Sequence, residues 1–493
     1  MLNTWVRNKE VALTNLATHE FLDGLVDPGR VRTIFPDPII RGVVYKGVKI
    51  PESMRGTEPV TLVEVESAQE IAAILKKAND ERMPIYVRQG TGFVALDIFR
   101  PEPPGAIALD LRRLNSIRPN LDGGYVEIGP AVTETTLNAV LEPDGFSFPE
   151  FIGPVTWGGL TSMNTSGRSV DSHTGKPGYY LMGLEVVLPT GEIVRTGTRS
   201  HRRPCGVDLT WLFTGFQALI GVITDIRLRL VPTPRNTRWG IAFMPSVEAT
   251  GRTVGQVYRK GVPPPRFMEL LDRQFLELGG LPGEIPGAMM LIGTDGWTSE
   301  EAEAKLDAIL EVAREQGATR ATPQTYEEFE AFVGFRESAS GEGKESLLKK
   351  LDLFPLFGGT MDGPLDTMVA CMEAAGRMMK EVADANPGVY GVRIGHIGAG
   401  TFHPVYYAPV AWDFERLQSL ASEMRARMLE LQLEFGCTTG EQGIFPQHYE
   451  WFHRYYGPEY VATVNRIKDA LDPLHILNDA RFKRPAFSSE QGL

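Results

Sequence analysis

Cysteine is scarce in this chain. Only Cys205, Cys371 and Cys437 occur among 493 residues, they lie far apart, and they form no CxxC motif. Three scattered cysteines without a CxxC motif encode neither a disulfide framework nor a resident iron–sulfur cluster. If the protein needs a one-electron relay, that relay must lie on another chain.

Long apolar runs and blocks of basic charge are also absent. No uninterrupted apolar run approaches the roughly 18 residues of a membrane-spanning helix, and the start, MLNTWVRNKE, has no signal-peptide core. We therefore expect a cytoplasmic protein without a transmembrane segment. The net charge of −12 argues against nucleic-acid binding. A chain of 493 residues predicts two or three domains.

The most informative feature that the chain does contain is a stretch of small residues. From Phe151 to Gly167 it reads FIGPVTWGGLTSMNTSG. Such residues let the backbone approach a ligand closely and direct N–H groups at anionic oxygens. The alternating segments LEVVLPT and EIVRTG follow, separated by a Thr190–Gly191 turn, and GVITDIRLRLV comes later. The pattern predicts a cradle for a phosphate-bearing cofactor on a β-rich scaffold.

Composition and prolines divide the chain into four parts. Residues 1–55 are polar and predict an N-terminal arm. Residues 56–235 open with a β-α-β pattern whose helix begins at the capping box Ser67–Glu70. Residues 236–440 alternate strands with amphipathic helices, which indicates an α+β domain. Residues 441–493 contain a short helix and an extended tail that we expect to return to the first domain.

A dinucleotide-binding Rossmann fold is the competing interpretation of one glycine motif. The segment from Gly90 to Ala95 fits G-x-G-x-x-A, with Asp110 at about the distance expected for a ribose contact. That motif requires a helix to start at its third small residue. Only five residues separate Ala95 from Pro101, and a helix cannot extend through the prolines that follow. The Rossmann interpretation is therefore disfavoured.

Together these motifs resemble a known family. Residues 55–235 and 385–485 are similar to the FAD-linked oxidases of the p-cresol methylhydroxylase/vanillyl-alcohol oxidase superfamily, and most similar to the group of D-lactate, glycolate and D-2-hydroxyglutarate dehydrogenases. The resemblance implies an α+β fold: a two-subdomain FAD-binding domain of the p-cresol methylhydroxylase type, an α+β substrate (cap) domain and a C-terminal segment returning to the FAD domain. Residues 56–235 would bind FAD, and residues 236–440 would form the cap.

The resemblance also implies which residues contact FAD. The family's pyrophosphate loop is matched, one residue shorter, by the segment from Arg88 to Gly92. The FAD is expected to be non-covalent, because no histidine lies between His19 and His173. The implied contacts are Arg88, Gly90, Thr91, Gly92, Pro154, Thr156, Gly158, Gly159, Thr161, Asn164, Ser166, Gly167, Gly221, Val222 and Ile223.

A second constellation lies near the C-terminal end. Two histidines, His396 and His403, fall in the glycine-rich segment GHIGAGTFHP, and Glu441 lies in GEQG. Two imidazoles and a distant carboxylate can form a three-ligand metal site with an open position. In the resembled family the matching residues bind a divalent ion such as zinc or manganese, so the resemblance implies His396, His403 and Glu441 as ligands.

The sequence differs from the family at the position of the proposed general base. Gln442 stands where the family has its proposed general base, a histidine, and a neutral amide cannot accept a proton near pH 7. His448 is a nearby alternative, metal assistance is another, and a different substrate chemistry is the third. The resemblance further implies that Arg336 pairs with a substrate carboxylate and that Lys350 lies near the substrate.

These features predict an FAD-dependent enzyme that oxidises a hydroxylated small molecule by hydride transfer to flavin N5, and a 2-hydroxy acid is the expected substrate class. Electrons would pass to a separate acceptor such as an iron–sulfur subunit, an electron-transferring flavoprotein or a quinone. The resemblance also implies a homodimer. Two alternatives stay open: an oxidase or hydroxylase of para-substituted phenols, and an electron-relaying flavoprotein subunit without its own base.

Overall fold

The computed structural model describes residues 18–34, 60–88, 106–148, 155–165, 176–201, 206–281, 283–340, 351–438 and 449–479. The strands in these ranges form three sheets. None of the helices in the same ranges is both long enough and apolar enough to cross a membrane.

The first sheet contains the β-α-β unit that the sequence predicts. Its strands are β1 (Val31–Ile34), β2 (Val60–Glu64), β3 (Ile85–Arg88) and β4 (Ile107–Asp110), in the order β1-β2-β4-β3. Strands β2 and β3 run parallel to β4, whereas β1 pairs antiparallel with β2. Helix α1 (Ala68–Glu81) connects β2 to β3 and buries Ile71, Ile74, Leu75 and Ala78 against the sheet.

The start of α1 confirms half of the predicted capping box. Ser67 Oγ accepts a hydrogen bond from the Glu70 N–H at 3.2 Å. The Glu70 carboxylate accepts from the Glu66 N–H at 2.9 Å instead of reaching back to Ser67. Arg30 also donates to both carboxylate oxygens of Glu70, and this hydrogen bonding lowers the pKa of Glu70. The carboxylate therefore ties the residues before β1 to the helix.

The second sheet is antiparallel throughout. Its strands are β5 (Ile117–Asn120), β6 (Tyr125–Ile128), β7 (Leu181–Val187), β8 (Ile193–Arg195) and β9 (Val222–Arg229), in the order β5-β6-β9-β7-β8. Helices α2 (Glu134–Leu141), α3 (Trp157–Met163) and α4 (Leu209–Phe213) accompany it. The predicted turn between β7 and β8 is present, and Gly191 adopts a φ of +94°, which glycine tolerates without steric cost.

The third sheet forms the cap. Its strands are β10 (Asn236–Met244), β11 (Phe267–Asp272), β12 (Ala288–Gly296), β13 (Arg320–Gln324), β14 (Leu353–Gly358), β15 (Met361–Asp362), β16 (Tyr390–Gly395) and β17 (Thr401–Pro409). The order is β13-β10-β12-β11-β16-β17-β14, with β15 pairing beside β17. Its helices are α5 (Val247–Arg259), α6 (Arg273–Gly279), α7 (Ser299–Glu315), α8 (Tyr326–Ser340), α9 (Met368–Ala385) and α10 (Phe414–Phe435).

The two faces of the third sheet bury different clusters. Side chains alternate along a strand, so Met268 and Leu270 of β11 pack on one face with residues of α5, α7, α9 and α10. Phe267 and Leu271 point to the other face, where α6 and α8 pack. Glu269 lies between Phe267 and Leu271 and therefore shares this second face.

The C-terminal segment returns to the first sheet, as predicted. Helices α11 (Tyr449–Tyr456) and α12 (Pro458–Leu471) precede it. The Ile85 N–H then donates to the Ile476 carbonyl at 2.7 Å, and the Asn478 N–H donates to the Ile85 carbonyl at 2.9 Å. The predicted boundary at residue 235 falls between β9 and β10. The predicted boundaries at 55 and 440 lie outside the described residues, and the domain limits stay predictions.

Candidate active site

His396 and His403 lie close together at one end of the cap sheet. Strand β16 ends at Gly395, a short 3-10 turn spans Ile397–Ala399, and β17 begins at Thr401. Because β16 and β17 pair antiparallel, this tight connection brings the two imidazoles together. Their ring centroids are 5.5 Å apart and the ring planes meet at 79°. The two histidines that the sequence singles out therefore share one site.

The Nδ1 atom of His396 is hydrogen-bonded to a buried carboxylate. Its partner is Glu269 Oε1 on β11, the strand next to β16, where Leu270 pairs with Gly395. Neither side chain is more than 1% exposed. A carboxylate that binds Nδ1 fixes the orientation and the tautomer of the ring, so Nε2 is the nitrogen that can act as a ligand or base.

His403 has the same arrangement with different partners. Its Nδ1 lies 3.3 Å from the Gly359 carbonyl oxygen and 3.3 Å from Thr360 Oγ1. A carbonyl oxygen only accepts, so it favours the tautomer with the hydrogen on Nδ1. In both histidines a protein oxygen therefore contacts Nδ1 and fixes the orientation of the ring.

This donor set suits a divalent metal, although the described residues do not complete a site. No group of three or more His, Cys, Asp or Glu side chains within them is arranged to hold an ion. The third predicted ligand, Glu441, lies outside the described residues. Two imidazoles whose Nδ1 atoms are bound by a carboxylate and a carbonyl have the outer-shell contacts usual for zinc-binding histidines. The two described residues of the predicted ligand set therefore have contacts compatible with a metal, and the site itself stays a prediction.

The last described residues before Glu441 lie beside the two histidines. Thr438, three residues before Glu441, exchanges backbone hydrogen bonds with Asp362 on β15. The Asp362 carboxylate also accepts from Thr401 Oγ1 at 3.1 Å.

The same carboxylate faces the first half of the chain. Lys176 Nζ lies 3.9 Å from Asp362 Oδ2. Lys176 precedes β7 of the second sheet, whereas Asp362 belongs to the cap. The histidine end of the cap is thus turned toward the sheets that carry the predicted FAD contacts, as expected for a reaction between two domains.

The remaining predicted substrate residues are less fully described. Arg336 lies within α8, two helical turns after Phe329, and Phe329 packs on the sheet face that carries Glu269. Lys350, Gln442 and His448 lie outside the described residues. Their predicted roles near the substrate stay predictions.

Helix α3 carries the best-described part of the predicted FAD cradle. Thr156 caps this helix, since its Oγ1 accepts from the Gly159 N–H at 3.3 Å. The Gly158 N–H donates to the Pro130 carbonyl at 2.8 Å. These two amides are thus engaged within the protein. A contact with FAD at Gly158 or Gly159 would depend on the absence of a side chain rather than on a donated N–H.

Three buried polar atoms lie close to the predicted FAD contacts of α3. They are Thr161 Oγ1, Asn164 Oδ1 and Gln217 Nε2, and none has a hydrogen-bond partner among the residues that the structure describes. Backbone hydrogen bonds hold them near one another: the Gly215 N–H donates to the Thr161 carbonyl and the Gln217 N–H to the Ser162 carbonyl. Buried polar groups normally have partners, so this cluster suits a polar cofactor.

The strand residues of the predicted cradle also have structural roles. A Cβ at Gly221 would lie 2.5 Å from Val186 Cγ1, so close packing against β7 already requires glycine there. Val222 and Ile223 are buried in two different cores, which leaves only their backbone for a ligand. Arg88 ends β3. Gly90, Thr91, Gly92, Pro154, Ser166 and Gly167 lie outside the described residues.

The aspartate of the rejected Rossmann interpretation has a local partner. Asp110 is buried and accepts from the Arg112 N–H at 3.0 Å and from Arg112 Nε at 2.7 Å. Its carboxylate is therefore committed to its own loop rather than presented to a ribose.

Family models match both halves of the chain. The model for FAD linked oxidases, C-terminal domain, covers residues 233–481, just over half of the 493 residues. The model for an FAD binding domain covers residues 59–197. The chain belongs to the FAD-linked oxidases.

This FAD-linked oxidase is similar to several named proteins. It is 27% identical to the mitochondrial D-lactate dehydrogenase (cytochrome) of Arabidopsis thaliana, over 90% of this chain and 75% of that protein. It is 26% identical to the D-lactate dehydrogenase of Archaeoglobus fulgidus, over 87% of this chain and 93% of that protein. It is also 26% identical to the glycolate oxidase subunit GlcD of Bacillus subtilis, over 86% and 88%.

Solved structures with the same fold include two enzymes of phenol chemistry. Substrate-bound p-cresol methylhydroxylase superimposes with a TM-score of 0.72 at 16% identity, over 95% of this chain and 96% of that chain. The 4-ethylphenol oxidase of Gulosibacter chungangensis does so with the same score and identity, over 95% and 97%. The family and fold class expected from the sequence are therefore confirmed, and this FAD-linked oxidase is an FAD-dependent oxidoreductase.

Sequence reasoning missed two polar residues of the site. Glu269 is the one acidic residue between the ends of the apolar strand segment FMELLD, and a glutamate is almost never fully buried unless it is paired. That pattern could have marked it, although not its partner. Gln217 gave no such signal, because the burial of its Nε2 atom depends on a turn that only the tertiary structure defines.

Proposed function

We propose that this enzyme oxidises a small 2-hydroxy acid with FAD as the primary electron acceptor. Its named relatives are D-lactate dehydrogenases and a glycolate oxidase subunit. The observation that carries the proposal is the pair His396 and His403, with both Nδ1 atoms engaged, on the end of the cap that faces the FAD-binding half.

In this proposal FAD lies against α3 and the start of β9. Thr161 and Asn164 provide side-chain contacts, and Gly158, Gly159 and Gly221 keep the surface free of side chains. Arg88, Gly90, Thr91 and Gly92 hold the pyrophosphate; Pro154, Thr156, Ser166, Gly167, Val222 and Ile223 complete the set. When bound, FAD supplies the two-electron acceptor for the substrate's C–H bond.

The cap residues would bind and orient the hydroxy acid. His396, His403 and Glu441 would hold a divalent ion such as zinc or manganese, which supplies Lewis acidity toward a hydroxyl oxygen. Arg336 would pair with the substrate carboxylate, since a guanidinium fork matches two carboxylate oxygens. Lys350 would add a second cation near the same group.

The proton of the hydroxyl group needs an acceptor other than Gln442. A glutamine amide cannot serve as one. His448 is six residues further along the chain and is our candidate. Because the chain has only three cysteines and no CxxC motif, its electrons would leave to a separate iron–sulfur subunit, an electron-transferring flavoprotein or a quinone. A cytoplasmic homodimer remains part of the proposal.

Anaerobic titration of the purified holoprotein tests the substrate class. Glycolate, both lactate enantiomers, D-2-hydroxyglutarate and 4-ethylphenol are added in turn while the flavin band at about 450 nm is followed. Bleaching by a hydroxy acid supports the proposal. Bleaching by 4-ethylphenol alone, or by none of these compounds, would overturn it.

Substitutions then test the site. His396→Ala and His403→Ala should lower the rate of bleaching by about 100-fold or more, together with the content of bound metal. His201→Ala is the matched control, because this exposed histidine hydrogen-bonds the Gly123 carbonyl in the connection between β5 and β6. Gln442→His should raise turnover if the missing base limits the reaction.

A further inference from the structure

A short turn connects two parts of the predicted FAD cradle. Residues 215–219 lie between α4 and β9, and they are hydrogen-bonded to α3: the Gly215 N–H donates to Thr161 and the Gln217 N–H donates to Ser162. Two residues later the chain enters Gly221 and β9. The position of this turn therefore sets the position of α3 relative to β9.

The side chain of Asn478 holds this turn against the first sheet. Its Nδ2 donates to the carbonyls of Gln217 at 3.2 Å and Ala218 at 3.3 Å. Its Oδ1 accepts from the Val87 N–H at 3.1 Å, one residue before Arg88 at the end of β3. Asn478 has no exposed surface. Its hydrogen bond with Val87 is therefore buried, whereas those with the half-buried Gln217 and Ala218 are partly buried.

The backbone of the turn depends on this contact. Gln217 and Ala218 adopt φ values of +54° and +57°, in the left-handed region that side chains disfavour. Their carbonyls can then both meet one amide group. Asparagine is suited to this place, since a single planar side chain offers two donor hydrogens and one acceptor.

A buried ion pair keeps Asn478 in place. Lys468 Nζ donates to Asp472 and to the carbonyls of Leu219 and Leu477, both at 2.7 Å. The Asp472 carboxylate accepts from the N–H groups of Ile476 and Leu477. The residues before Asn478 and the end of the turn are thus fixed to the same lysine.

We infer that Asn478 is a positioning residue for FAD. It fixes the strand end that leads into the segment Arg88–Gly92 relative to the turn that leads into Gly221. The C-terminal segment thus completes the cofactor site without itself contributing a predicted contact. The same turn presents Gln217, whose buried Nε2 has no acceptor among the described residues and would donate to the cofactor.

Titration of apoprotein with FAD, followed by flavin fluorescence, measures this role. The inference rests on FAD binding by the wild-type protein, which the same titration establishes without any substrate. Asn478→Ala should weaken FAD binding about 30-fold, because one buried and two partly buried hydrogen bonds are lost. Asn478→Asp keeps the acceptor for Val87 but loses both donors, so it should weaken binding at least as much.

Asn386→Ala is the matched control. Asn386 also donates from Nδ2 to a backbone carbonyl, that of Val382 at 3.0 Å, but it does so at the end of α9 in the cap. Its FAD affinity should equal that of the wild type. If Asn478 were merely structural, Asn478→Ala would lower the unfolding temperature and leave the dissociation constant of FAD unchanged. That result overturns the inference.

Two further variants keep the test decisive if Asn478→Ala folds poorly. Ala218→Gly removes the steric cost of the left-handed conformation at that residue. The double variant Asn478→Ala/Ala218→Gly is therefore compared with Ala218→Gly alone. Gln217→Ala removes an unpaired donor and should leave the stability of the apoprotein unchanged while FAD binding weakens about tenfold. An unchanged affinity in Gln217→Ala and in the glycine-background pair contradicts the role of this turn.

Discussion

Glu269 on β11 and His396, the residue directly after β16, form a buried carboxylate–imidazole pair. The pair is set by the antiparallel register: Leu270 lies opposite Gly395, so the residue before Leu270 meets the residue after Gly395. Both side chains are buried and Nδ1 of the histidine is committed to the carboxylate. The orientation of the imidazole ring is therefore set by the pairing of β11 with β16 and not by the turn that follows β16.

Replacement of Glu269 should weaken the binding of a metal ion at His396. Glu269→Gln keeps the size and an acceptor for Nδ1 but loses the charge that makes His396 a better ligand. We expect the dissociation constant for zinc to rise about tenfold, and by about 100-fold in Glu269→Ala. Competition with a chromophoric chelator measures both. Glu248→Gln is the control, since Glu248 pairs with Arg393 on the same strand as the site. Equal zinc affinity in all four proteins would refute the role.

The buried lysine of the C-terminal segment should be a large contributor to stability. Lys468→Met removes the partner of Asp472 and leaves a fully buried carboxylate that only N–H groups contact. Such a loss costs about 3–5 kcal/mol of unfolding free energy. The double variant Lys468→Met/Asp472→Asn should recover part of that loss. Urea unfolding measures it, and a double variant less stable than the single one would contradict the explanation.

Asp272 should give the cap a stability that falls as the pH rises. Burial raises the pKa of Asp272 to about 6 in the folded protein, against the opposing effect of Arg393. The folded state therefore holds the proton more tightly than the unfolded chain, whose carboxyl has a pKa of about 3.9. The stabilisation is complete below pH 4 and is lost as the pH rises through 6.

Asp272→Asn stays neutral and can still cap α6, where the aspartate accepts from the Phe275 N–H. Relative to the wild type, its unfolding free energy should gain about 2 kcal/mol between pH 4 and pH 7. Asp384→Asn, at an exposed ion pair with Lys380, should instead run parallel to the wild type. Parallel curves for Asp272→Asn as well would show that this carboxyl has no raised pKa.

The glycine before His396 should tolerate no side chain. A Cβ at Gly395 would lie 2.6 Å from Phe402 Cα and 3.0 Å from the Thr401 carbonyl oxygen, both backbone atoms of β17. Gly395→Ala should therefore cost about 2 kcal/mol or more and separate the two histidines. Gly255→Ala, in α5 with open space around its Cα, should stabilise the protein by about 0.5–1 kcal/mol. Thermal unfolding compares them, and two shifts of the same sign would be inconsistent with this packing.

Much of the local structure could be predicted because it depends on neighbouring residues. The stripe of Ile71, Ile74, Leu75 and Ala78 follows the 3.6-residue period of a helix, and Ser67 begins that helix as expected. The spacing of His396 and His403 placed both in one glycine-rich connection. The family motifs also predicted an FAD-linked oxidase, and family models of that kind match both halves of the chain.

What the sequence alone determined is the set of chemical groups and the short-range elements that carry them: the glycine-rich cradle, the two histidines and the turn between β7 and β8. What only the tertiary structure decided is which groups meet. Glu269 is 127 residues from His396, and Asn478 is 391 residues from Val87. Such pairs arise from strand register and chain return, and no local period along the sequence encodes them.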